Sequence, residues 1–80
     1  MKSYINEFTS KVKDDEIVKV VINGKFKVVE YFTKEDFKNF ILLEIDCMNK
    51  LDKKLVISES YLILFDKKEN VEIFCLICEK

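Results

Sequence analysis

Residues 16–32 read EIVKVVINGKFKVVEYF. Two runs rich in β-branched and aromatic residues flank Asn23-Gly24. Such residues suit a pleated, half-buried strand, and an Asn-Gly pair suits a type I′ turn, whose two central residues need φ > 0. The stretch therefore predicts a β-hairpin. A two-residue loop sets Ile22 opposite Lys25, Val20 opposite Lys27 and Val18 opposite Val29, with Glu16 and Tyr31 on the same face. The other face carries Ile17, Lys19, Val21, Phe26, Val28, Glu30 and Phe32.

Working outward, TKEDFKNFILLEIDCMNKLDKK (33–54) follows. Thr33 with Asp36 three residues on resembles a capping box, and Glu35 and Asp36 suit the positive end of a helix. Phe37, Phe40, Ile41, Ile45, Met48 and Leu51 fall on one helical face, widened by Leu42 and Leu43, so a helix over about 34–50 is expected. The alternation of Ile41, Leu43, Ile45 and Cys47 also admits a strand over about 40–48; the long helix is the preferred reading. Ahead of the hairpin, SYINEFTSKVKDD (3–15) spaces Tyr4, Ile5, Phe8 and Val12 as a helical stripe, with Ser3 placed to cap it.

The remainder, KKLVISESYLILFDKKENVEIFCLICEK (53–80), holds two apolar runs around KKEN, residues 67–70. A four-residue loop there makes a second hairpin, setting Leu64 opposite Ile73, Leu62 opposite Cys75, Ile63 opposite Phe74 and Tyr61 opposite Leu76. Ser58-Glu59-Ser60 is a place for the first of these strands to bulge or break. The order α-β-β-α-β-β predicts a single α+β domain over residues 1–80, with a four-stranded antiparallel sheet of two hairpins packed with two helices.

Composition removes several classes of chemistry. The 80 residues include no His, Trp, Pro, Arg, Ala or Gln, and one Gly. Without His, the commonest general base and zinc ligand are missing. Without Arg, bidentate clamping of guanine or phosphate is missing, and one Gly cannot build a phosphate-cradling loop. Charges of 14 basic and 15 acidic residues leave a net charge of −1, neither the basic surface of a nucleic-acid binder nor an acidic mimic of DNA. No apolar run is long enough for a membrane-spanning helix, and MKSYINEF at residues 1–8 lacks the apolar block of a signal peptide, so a cytoplasmic location is expected.

Cys75 and Cys78 sit in VEIFCLICEK (71–80) at a spacing shared with redox couples and zinc sites. On a strand, residues three apart point to opposite faces, so these thiols diverge. Cys47 is the one further cysteine, too few for a structural zinc set without His. All three are read as packing residues, with no metal and no cofactor expected. Paired carboxylates add nothing: Glu44 and Asp46 stand on different sides of a helix, and Glu59 has two serines beside it but no base.

What stands out is excess apolar surface. Both faces of both hairpins are substantially apolar, whereas an antiparallel sheet with one wet face reads apolar-in, polar-out. Two short helices have little to cover two faces with. A homodimer or a tight protein partner is therefore expected, with Val18, Val20, Val29, Tyr31 and Tyr61 as contacts. The leading function is a small non-enzymatic regulator or inhibitor that acts sterically. It suits the kind of chain that phages and mobile elements direct at host proteins or defence complexes, anti-CRISPR inhibitors among them. The alternative is a nucleic-acid-binding module using Lys25, Lys27, Tyr31 and neighbouring residues of the first hairpin.

Overall fold

The computed structural model describes residues 2–47 and 53–80. The first helix, α1 (Lys2–Ser10), forms on the expected stripe, burying Ile5 and Phe8. It begins at Lys2, so Ser3 lies within its first turn and not at its cap. Its end tightens into i→i−3 bonds: Lys11 N–H donates to the Phe8 carbonyl and Val12 N–H to the Thr9 carbonyl, both at 3.1 Å. That turn drives Val12 inward, 1% exposed.

The first hairpin is β1 (Glu16–Asn23) and β2 (Lys27–Phe32). Its register corrects the sequence reading. The closing pair is Asn23 with Lys27, and Val18 faces Phe32 instead of Val29. The loop is therefore Gly24-Lys25-Phe26, with Gly24 N–H donating to the Phe26 carbonyl at 3.2 Å. Neither Asn23 nor Gly24 has positive φ, so no type I′ turn forms. A Cβ on Gly24 would lie 3.2 Å from Val71 Cγ2, so the glycine serves close approach of a neighbouring strand. The shift is by an odd number of residues, which exchanges the faces of β2. It brings Phe32 onto the helix side, where its ring stacks on Phe40 at 4.9 Å between centroids.

That ring belongs to α2 (Lys34–Cys47). The helix reading holds here and the strand alternative does not; the expected residues 48–50 of the helix lie outside those described. Thr33 Oγ1 accepts the Asp36 N–H at 3.2 Å, the capping bond expected of this sequence. At the other end the Lys53 ammonium donates to the Ile45 carbonyl, placing positive charge where the helix dipole is negative.

The last part contains three strands: β3 (Lys53–Ile57), β4 (Tyr61–Asp66) and β5 (Val71–Glu79). Ser58-Glu59-Ser60 breaks the long run into a hairpin, with Ser58 N–H donating to the Tyr61 carbonyl at 2.9 Å. The sheet thus has five strands, in the order β2-β1-β5-β4-β3, all pairs antiparallel, and not four. The β4–β5 register matches the reading residue for residue: Leu64 with Ile73, Leu62 with Cys75, Ile63 with Phe74, Tyr61 with Leu76. In its loop, Asp66 Oδ1 accepts the N–H groups of Lys68 and Glu69, and Asn70 takes φ 54°.

One core joins these elements. Ile5, Phe8, Val12, Phe37, Ile41 and Ile45 from the helical side meet Val18, Val20, Leu62, Leu64, Ile73 and Cys75 from the sheet. Phe8 and Phe37 meet edge to face at 6.0 Å. Strand registers place every one of those sheet residues on the same face. The partly buried residues packed against the core, such as Ile22, Phe32, Leu55, Ile57 and Ile77, share that face too. Both helices therefore cover one side of the sheet.

Candidate interaction face

Among the described residues, no helix lies on the other side. Reading the ladders across the strands gives its side chains in rows. One row runs Val29–Val21–Phe74–Ile63–Val56, apolar through all five strands. A second runs Tyr31–Lys19–Leu76–Tyr61. On the far side of the apolar row lies Lys27–Asn23–Glu72–Phe65–Lys54. Ile17 and Cys78 pair at one end.

Alternation along each strand produces this face directly. Val20 points to the helices and is fully buried; Val21, next in the chain, points away. At the rim exposure is high for apolar groups: Tyr31 63%, Val29 43%, Val56 40%. Tyr61 and Phe74 shield one another by stacking at 5.9 Å. Five strands about 4.8 Å apart, over rows that together span about 20 Å, make a face of about 500 Å² in projection. Its central row is an unbroken apolar strip rimmed by lysines and Glu72, and exposed apolar surface rimmed by polar residues marks interaction sites. Lys19, Lys27 and Lys54 against Glu72 leave the face weakly positive.

The residues read from sequence as contacts divide between two environments. Lys27, Val29, Tyr31 and Tyr61 lie together on the open face. Lys25 is exposed in the hairpin loop beside Phe26, which is 76% exposed. Val18 and Val20 are corrected: both are 0% exposed, sealed under the helices, and unavailable to a partner. The misplaced register caused this, since it set Val29 and Tyr31 on the face of Val18. Val21, Val56, Ile63, Phe74 and Leu76 were not singled out. Their signal was the second hairpin's register, which already grouped Ile63 with Phe74 and Tyr61 with Leu76; what was missing was that β5 pairs with β1.

The cysteines behave as strand alternation requires. Cys75 is buried on the helix side, and burial pushes its thiol up to about 12. Cys78 is half-buried on the open side, its thiol donating to the Leu76 carbonyl at 3.6 Å. The sheet separates them, so they do not form a pair. Cys47 closes α2, and its side chain lies outside the described residues.

A polar cleft between the helices, bordered by Thr9, Asp14, Lys34 and Lys38, carries charges of both signs, and the buried Thr9 hydroxyl is occupied by the Ile5 carbonyl at 2.8 Å. Among the described residues no cluster of metal-ligating side chains occurs, and no helix is long and apolar enough to cross a membrane. No protein-family model matches the chain, and no curated protein or solved structure matches it either.

Proposed function

We propose that this protein is a non-enzymatic binding protein that acts by laying its open sheet face over the surface of another protein. The observation that supports the reading is the one-sided placement of α1 and α2, which leaves the Val29–Val21–Phe74–Ile63–Val56 row uncovered by any helix among the described residues. Burying aliphatic and aromatic side chains supplies affinity, and the lysines and Glu72 around them set orientation and encounter rate. Within that reading, a steric regulator or inhibitor of a host protein or defence complex, of the kind phages and mobile elements encode, remains the proposed role.

A second reading, single-stranded nucleic acid on the same face, is favoured by Lys19 beside the exposed ring of Tyr31, with Lys27 and Lys54 elsewhere on that face. It ranks behind because the central row is largely β-branched aliphatic, and such side chains offer bases no ring to stack on.

The test is a tagged capture from host lysate, treated with nuclease, with the wild type beside Phe74→Lys. We expect a stoichiometric protein that survives nuclease and moderate salt and is lost with Phe74→Lys while the far-UV spectrum is unchanged. A partner held equally by the variant would overturn the assignment of this face. A catch that disappears with nuclease, or falls steeply with salt, would put the nucleic-acid reading first.

A further inference from the structure

We infer that, in the free protein, the open face is occupied by a second copy of this chain, in a two-fold sandwich with β5 lying over β5 of the second copy. The inference rests on the reading of this face as a protein-binding surface, and it names the partner.

Size is the first reason. Two faces of about 500 Å² in projection remove at least about 1,000 Å² from water when they meet, the range at which specific interfaces begin. Twisted antiparallel sheets stack well on one another, about 10 Å apart and within about 30° of alignment, when their inner faces are apolar. The central row meets that condition across the whole width of the sheet.

Charge selects the orientation. A two-fold axis along the strands would set each row on its own image, with Glu72 against Glu72 and Lys27 against Lys54. An axis across the strands, through the Phe74 row, sets that row on itself and exchanges the two flanking rows. Glu72 of the second copy then stands over Leu76, beside Lys19 in the adjoining strand, and Tyr31 lies over Lys27 of the second copy. Each contact occurs twice. Within one chain Lys19 and Glu72 are no such pair: Lys19 stands opposite Leu76 and Glu72 opposite Asn23, two rows away. The second orientation therefore gives the acidic group of this face a basic partner that its own chain does not.

A protein that binds this face must displace the second copy, so dimer dissociation sets the concentration at which another partner competes.

Sedimentation equilibrium of the purified protein tests this. We expect twice the 9.5 kDa chain mass at micromolar concentration, and the mass of one chain for Phe74→Lys. Lys19→Glu and Glu72→Lys should each weaken the dimer about tenfold or more, and the double swap should restore it to within about threefold of wild type. Both positions lie at the sheet surface, so these variants answer even if Phe74→Lys fails to fold. A wild-type mass of one chain at 100 µM would overturn the inference, and the capture with Phe74→Lys would still judge the binding face by itself. A dimer untouched by Phe74→Lys and by both single charge reversals would place the interface elsewhere and overturn it. Single reversals that weaken the dimer without rescue in the double swap would overturn the orientation.

Discussion

Cys75 and Cys78 show how much one residue's face determines. Cys75 sits in the core opposite Val20 and Leu62, where a thiolate would lose its hydration. Cys78 sits three positions on and faces away. In a Cys47→Ser background, a maleimide should modify Cys78 at least about tenfold faster than Cys75 under native conditions, because the thiolate is the reacting form. Mass spectrometry of the digested adduct checks this; equal labelling would mean that strand β5 is not held as described. The same burial has a pH consequence. The folded pKa of Cys75, about 12, lies above its ordinary 9.0, so the contribution is complete below pH 9 and is lost as pH climbs toward 12. We expect the stability advantage of wild type over Cys75→Ala to shrink above pH 9, by up to about 1.4 kcal/mol per pH unit. Parallel urea melts from pH 8 to 11 would measure it, and a constant gap would refute it.

Among the elements, α2 is the one whose start was most legible. Thr33, two acidic residues and an apolar stripe all point to the same helix, and the Thr33–Asp36 bond realises that agreement. Thr33→Ala should cost about 1 kcal/mol, lowering the melting temperature by about 4–8 °C for a domain of this size. A thermal melt showing no change would mean that the cap is redundant. The second hairpin was equally legible, because Asp66 and Asn70 bracket a loop whose chemistry is local. The first hairpin was not. Asn23-Gly24 carries a strong local preference for a tight turn, but its gain is small beside that of burying Phe32 on Phe40 and admitting Val71 against Gly24. The break at Ser58–Ser60 was a recognised option whose outcome was undetermined, since serines favour turns only weakly.

For the molecule as a whole, the asymmetry between the two sheet faces is the main consequence. Val20 and Val21 are chemically identical neighbours with opposite fates. Val20→Lys would bury an unpaired charge among Phe37, Ile41 and Leu62, and should cost about 4 kcal/mol or more, a large part of the stability of a domain of this size. Val21→Lys places the same charge on the open face and should leave the fold intact while abolishing association. Circular dichroism and sedimentation of the two variants side by side would check both halves. Two variants that unfold alike would show that the second face is needed for folding itself.

By itself the sequence determined the α+β class, the two helices, the cap of α2, the pairing of β4 with β5 and the divergence of the two thiols. Each rests on a short-range periodicity or on the chemistry of a single turn. Tertiary structure alone decided the five-stranded order with β5 at its centre, the register of the first hairpin and the choice of face for both helices. Those outcomes depend on which apolar surfaces meet at long range, and β1, apolar on both sides, offered either face to the helices with nearly equal local preference. The side that they left open is where this protein meets a partner in the reading proposed.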